Sequence, residues 1–221
     1  MVTGALKLYS YWRSSAAYRV RIALNLKGLP YEIEPVHLVN EGGEQFSAEY
    51  TELNPQSLVP TLVDGHRILR QSMAIIEYLE ETWPDPSLMP DTARDRVRVR
   101  TLAQIIACEI HPLNNLRVLQ FLENTWNVPQ AERETWVRHW MQEGFKALEA
   151  TLKDSPATGT YCEGDFPTMA DCLLIPQVYN AVRFGLDLSQ YPTVARINEE
   201  CLAQDAFDRA RPENQPDAPA T

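Results

Sequence analysis

Three prolines in eight residues, WPDPSLMP at 83–90, cut this chain into two stretches with different hydrophobic patterning. Before that segment, short β-prone runs alternate with helical ones. LKLYSYW (6–12) reads as a strand, and residues 15–27 place Ala16, Val20, Ala23 and Leu24 at helical spacing before Gly28, a suitable helix stop. YEIEPVHL (31–38) reads as a second strand, with Pro35 marking an edge or a bulge. EGGEQFSAEYTELNP is irregular, with room for one short helix. TLVD and ILR flank a tight turn at Asp64-Gly65, a hairpin signal. Ile75, Ile76, Leu79 and Trp83 then form a helical stripe behind Ser72.

After the prolines only helical patterns follow. Val99, Leu102, Ala103, Ile106, Ile110 and Leu113 mark a long helix, with a kink expected at Pro112, which cannot donate to the carbonyl of Cys108. A second helix carries Trp136, Val137, Trp140, Met141, Leu148 and Leu152, a third opens at Thr168, and a fourth follows Pro192. PENQPDAPAT is polar and proline-rich, as disordered tails are. The expected organisation is an α/β domain over 1–84, a linker over 85–92, an all-α domain over 93–211 and a disordered tail over 212–221.

Charge narrows the function classes. With 30 acidic against 20 basic side chains the formal net charge is −10, a field that repels nucleic-acid phosphates, so nucleic-acid binding is not expected. An anionic small molecule would need a local positive pocket. No apolar run approaches the ~20 residues that span a bilayer, and MVTGALKLYSYW lacks the layout of a secretory leader. Cys108, Cys162, Cys172 and Cys201 are widely spaced, without a CxxC pair, which favours a reducing compartment and argues against zinc. His37, His66 and His139 show no ligand-like clustering, so a cytoplasmic protein without a metal is expected.

Four short segments carry chemistry or its imitation. Arg13, Ser14 and Ser15 interrupt the junction of the first strand and first helix; the serines either cap the helix or hold an anion at its N-terminus. In LNPQSLVPTL, a cis Val59-Pro60 bond would turn the chain and offer the Val59 backbone to an extended peptide, whereas a trans bond would merely start a strand. Ser72 reads as an N-cap that could also face an anion, and capping does not account for Gln71 beside it. Thr168 to Asp171, TMAD, is a capping box with Asp in the usual Glu position, and is read as structural.

Taken together and in this order, these segments resemble the cytosolic glutathione transferases. YSYWRSSAAYRVRIALNLKG, NPQSLVPTL, IHPLNNLRVL and NAVRFGLDLSQYP resemble the zeta class, over about residues 6–210. The resemblance implies a thioredoxin-like α/β N-terminal domain plus an all-α C-terminal domain, with glutathione as cofactor. It places the γ-glutamyl carboxylate at Gln71 and Ser72, the cysteinyl backbone at Val59 and the thiol beside Ser14 and Ser15. His111 and Asn115 become further glutathione contacts, and Arg13 and Arg183 the holders of a small dicarboxylate substrate. The implied reaction converts maleylacetoacetate to fumarylacetoacetate by thiolate addition, bond rotation and elimination, with Ser14, Ser15 and Arg13 as the catalytic group. Maleylpyruvate isomerisation and haloacid dehalogenation are the near alternatives, and a non-catalytic binding protein on the same fold is the distant one. A homodimer is expected by analogy. Two departures stand out: Ala16 replaces the usual Cys of a Ser-Ser-Cys opening, and Tyr18 stands where Trp is frequent. Leu116 occupies a position where some maleylpyruvate isomerases carry arginine, which favours maleylacetoacetate.

Overall fold

The structure, a computed structural model, describes residues 5–219, which divide into two compact units. The first comprises residues up to Leu88 together with those from Ala203 onward; the second runs from Met89 to Leu202.

The first unit is built on a four-stranded sheet. β1 (Leu6–Ser10) leads into α1 (Ser15–Leu26) and β2 (Tyr31–Pro35), followed by α2 (Ala48–Leu53), β3 (Thr61–Asp64), β4 (Arg67–Arg70) and α3 (Ser72–Thr82). The strand order is β2-β1-β3-β4: β1 and β2 are parallel, and the other pairs are antiparallel. This is the thioredoxin-like arrangement, a β-α-β unit joined to a β-hairpin and a closing helix. A parallel pair needs a crossover, which α1 supplies. Pro35 sits on β2, an edge strand, where a missing donor costs no ladder bond. The hairpin turns through Gly65, whose φ of 59° lies in the left-handed region that glycine adopts without strain. Leu8 and Leu62 pair on the inner strands and are fully buried, as are Ile22, Leu24, Ile75 and Leu79 of the helices. Val59-Pro60 and Asp85-Pro86 are both cis.

Between α3 and Leu88 the proline-rich stretch is firmly held. Lys27 Nζ donates to Glu80 Oε2 (2.8 Å) and to the carbonyls of Trp83 (2.7 Å) and Pro86 (2.9 Å). Glu80 in turn accepts from Ser87 Oγ (2.6 Å) and Leu88 N–H (2.8 Å). Burial alone would push the Glu80 carboxyl up; its donors outweigh this and leave it below the ordinary glutamate range.

The C-terminal segment differs from the sequence expectation. Residues 203–211, expected in the helical domain, group with the first unit, and α9 (Asp205–Ala210) packs on α1. Pro212–Asn214 form a helical turn, and buried Gln215 donates to the carbonyls of Arg209 (2.9 Å) and Arg211 (2.7 Å). Composition suggested disorder over 212–221, but these polar groups find backbone partners; residues 220 and 221 lie outside the described ones.

The second unit contains α4 (Ala93–Gln104), α5 (Leu116–Trp126), α6 (Gln130–Leu152), α7 (Met169–Arg183) and α8 (Pro192–Leu202). The expected kink near Pro112 begins earlier. From Ile105 to Ile110 the helix widens to a π-type turn, and His111 N–H reaches back five residues to Ile106 C=O at 2.9 Å. Packing explains the tightness here, since a Cβ on Gly144 of α6 would fall 2.2 Å from Ile110 Cδ1. α7 is the central helix, buried continuously from Met169 to Val178. Apart from Asp171 and Gln177 that run carries no polar group beyond a thiol, as a helix enclosed by others requires.

Candidate active site

The Ser14 turn follows directly from β1. Ser14 N–H donates to Tyr11 C=O (2.9 Å), and Ser14 Oγ accepts from Ala17 N–H (3.2 Å) as the N-cap of α1. A hydroxyl has two lone pairs and one proton, so this cap leaves the proton able to donate to an anion. The first turn, Ser15-Ala16-Ala17, carries no carboxylate of its own, leaving the positive end of the helix to an outside anion. Arg13 lies with its guanidinium carbon 5.3 Å from the centre of the Trp12 ring. Ser14, Ser15 and Arg13 thus occupy one turn.

The start of α3 is built differently. Ser72 is the first residue of the helix rather than its cap; the cap position belongs to Gln71, which makes no side-chain capping bond. Gln71 has φ 70°, a conformation disfavoured for a side chain with a Cβ, and its Nε2 donates to Gln56 Oε1 at 2.7 Å. Ser72 Oγ accepts from Arg19 Nη1 (3.2 Å), and both residues are buried. Sequence reading missed Arg19 and Gln56. Only the helical phase of Arg19, on the buried side of α1, hinted at the first.

Val59 packs in an apolar cluster with Tyr11, Val36 and Tyr50, against which Trp12 and Leu38 lie. Tyr50 Oη and Asn54 Nδ2 both donate to Leu58 C=O at 2.7 Å, fixing the approach to Val59. Gln45, in the loop after Leu38, donates to Leu38 C=O (3.2 Å), while its Oε1 is buried with no hydrogen-bond partner among the described residues. Gly43 beside it has φ 106°, a conformation that favours glycine, and a Cβ there would also fall 2.5 Å from the Gln45 amide. A buried acceptor without a donor suits a ligand rich in N–H groups. Glutathione, an extended peptide with a thiol, an ammonium and two carboxylates, fits these donors, acceptors and helix ends.

The other sequence-predicted residues belong to the second unit, at two places. His111 ends the widened turn, and Asn115 caps α5, accepting from Arg117 N–H at 3.1 Å. Arg183 is exposed in the last turn of α7, its guanidinium carbon 4.7 Å from the centre of the Phe184 ring. TMAD closes on itself: Asp171 accepts from Thr168 N–H (2.7 Å), Thr168 Oγ1 (2.9 Å) and Cys162 N–H (2.9 Å). Burial pushes the Cys162 and Cys201 thiols up, so neither supplies a nucleophile at neutral pH. Among the described residues no group of His, Cys, Asp and Glu could hold a metal ion, and no helix is long and apolar enough to cross a membrane.

Residues 13–82 match the family model "Glutathione S-transferase, N-terminal domain". A Vibrio cholerae protein described as a probable maleylacetoacetate isomerase is 53% identical over 214 residues, 97% of this chain and 99% of its own. A zeta-class bacterial maleylpyruvate isomerase structure superposes with a TM-score of 0.94 at 49% identity, covering 96% of this chain and 100% of that one. A maleylacetoacetate isomerase from Methylobacterium extorquens AM1, solved with malonate and glutathione, gives 0.93 at 45% identity over 97% of this chain and 100% of that one. The sheet order, the Ser14 and Ser72 helix starts and these full-length likenesses agree, and the chain belongs to the glutathione transferase family, in its zeta class.

Proposed function

We propose that this protein is a glutathione-dependent cis–trans isomerase that converts maleylacetoacetate to fumarylacetoacetate. The observation that carries the reading is the Ser14 hydroxyl, placed at the open start of α1 with its proton uncommitted by the cap. Glutathione, when bound, supplies the thiolate whose reversible addition across a conjugated cis double bond allows rotation to the trans isomer. Everything else is the work of this chain. Ser14 donates to the sulfur, and the α1 N-terminus at Ser15 adds its dipole. Each unit by which the thiol pKa falls needs about 1.4 kcal/mol of preference for the anion. One charge-assisted hydrogen bond, about 1.5–3 kcal/mol, is enough for one to two units.

Gln71, Ser72 and the α3 N-terminus hold the γ-glutamyl carboxylate, with Arg19 directing charge through Ser72. The Val59 backbone pairs with the cysteinyl unit, and Gln45 Oε1 takes a ligand N–H. Arg13 and Arg183 take the substrate carboxylates, for which a planar guanidinium is the matching shape. His111 and Asn115 complete the glutathione contacts. We also read the protein as a cytoplasmic homodimer; its four cysteines are widely spaced, without a CxxC pair, which favours a reducing compartment.

Maleylpyruvate is the second reading, because a maleylpyruvate isomerase is 49% identical along the chain. The test is an isomerase assay with both substrates, with and without catalytic glutathione. Turnover that requires glutathione and favours maleylacetoacetate is expected. A higher rate with maleylpyruvate transfers the assignment, and no turnover of either leaves a binding protein on this fold.

A further inference from the structure

The Trp12 peptide, two residues before Ser14, is gripped from both ends. Its N–H donates to Asp217 Oδ2 at 2.9 Å, and its C=O accepts from Arg21 Nη2 at 3.0 Å. Arg21 also donates from Nη1 to Ser10 Oγ (3.1 Å) and Tyr11 C=O (3.4 Å), and from Nε to Ala210 C=O (3.0 Å). The Tyr11 carbonyl is the same one that receives Ser14 N–H. Asn25 Nδ2 donates to Ala206 C=O (2.9 Å), docking the returning segment on α1. The backbone from Ser10 to Ser14 is therefore shaped by one guanidinium inside the unit and one carboxylate from the far end of the chain.

Stability alone does not account for the choice of groups. Arg21 is fully buried, and burial lowers its pKa to about 10, so it remains charged at neutral pH. Asp217 Oδ1 is buried with no hydrogen-bond partner among the described residues. A desolvated charge with part of its capacity unused is costly, and apolar residues of similar volume are often as stable. What this pair provides is direction at a turn that carries Ser14.

We propose that Arg21 and Asp217 are positioning residues for the Ser14 hydroxyl, and that the segment 203–219 acts as a strap holding the thiol-activating turn. This rests on the reading of Ser14 as the donor to sulfur. The test measures the pKa of bound glutathione from the ultraviolet absorbance of its thiolate, together with kcat and the glutathione KM. Asp217→Ala should raise the bound-thiol pKa and lower kcat about tenfold, with KM changed less than about twofold, because small displacements at a reacting group are costly. Asp217→Asn, which keeps an acceptor, should stay within about threefold of the parent. In a Ser14→Ala background, Asp217→Ala should add nothing. Arg21→Lys, which retains the charge without the fork, gives the same readouts in the same direction should Asp217→Ala fail to fold. If Ser14→Ala raises the thiol pKa and lowers kcat while the Asp217 and Arg21 variants move neither, the strap is only a brace and the proposal falls. If Ser14→Ala itself moves neither, the Ser14 reading falls, and the proposal with it.

Discussion

Two helix starts in this protein solve the same electrostatic problem in opposite ways. At α7 the chain supplies its own carboxyl group: Asp171 is fully enclosed, so burial pushes its pKa up, and it takes three donors from Thr168 and Cys162. At α3 the first turn is Ser72-Met73-Ala74, without a carboxylate, and the cap residue is Gln71 in a left-handed conformation. A buried arginine, Arg19, adds positive charge where the helix already presents its positive end. The first start is complete in itself, and the second is complete only with a partner from outside. A helix start that lacks its own anion is thus a stronger sign of a binding site than a serine at its head.

The contrast can be broken most severely at α7. Asp171→Ala leaves three buried donors without an acceptor and should cost about 4 kcal/mol, read as a lowered denaturant midpoint. A loss under 1 kcal/mol would mean that this start is not sealed as described. The other end of α3 is expected to behave like α7. Glu80→Gln should cost about 2 kcal/mol at neutral pH, because Lys27 loses its charged partner. The folded Glu80 carboxyl lies below its unfolded value, so its stabilisation is fully present above the ordinary glutamate range. It is lost as pH falls through the depressed value. The difference between Glu80→Gln and the parent should therefore shrink towards low pH, and a constant difference would remove the charge from the account. At the open start, Ser72→Ala should raise the glutathione KM about tenfold, equivalent to 1.4 kcal/mol, with kcat nearly unchanged. A fall in kcat alone would move Ser72 out of the binding role. Smallest is Gln71→Gly, which relieves a positive φ. The unliganded protein should gain about 1 kcal/mol in denaturant unfolding while glutathione binds more weakly. Equal or tighter binding would show that the conformation serves no ligand.

What could be read directly from the residues was local. The α1 stop at Gly28, the hairpin at Gly65, the Thr168–Asp171 box and the order of strands and helices in the first 82 residues depend on neighbours in sequence, and the structure has them there. Arg19 and Lys27 find Ser72 and Glu80 53 residues away, and Arg21 joins the nearby Ser10, Tyr11 and Trp12 to the distant Ala210; no periodicity announces these partners. α5 does not stand out in the pattern, and only the cap at Asn115 and the left-handed Asn127 show that a separate helix follows the Pro112 break. Ser72 has the residue type of a cap, and only the φ of Gln71 puts the cap one position earlier. Gln45 gave no signal at all. Its orphan oxygen is a property of the loop that surrounds it.

The return of residues 203–219 to the first unit has a consequence for synthesis. The sheet and α1 leave the ribosome first, yet Trp12 and Arg21 obtain Asp217 and Ala210 only after the whole second unit, residues 89–202, has been made. The unit that is begun first is therefore completed after the second, and a nascent chain carrying only residues 1–88 lacks the Asp217 and Ala210 partners of Trp12 and Arg21.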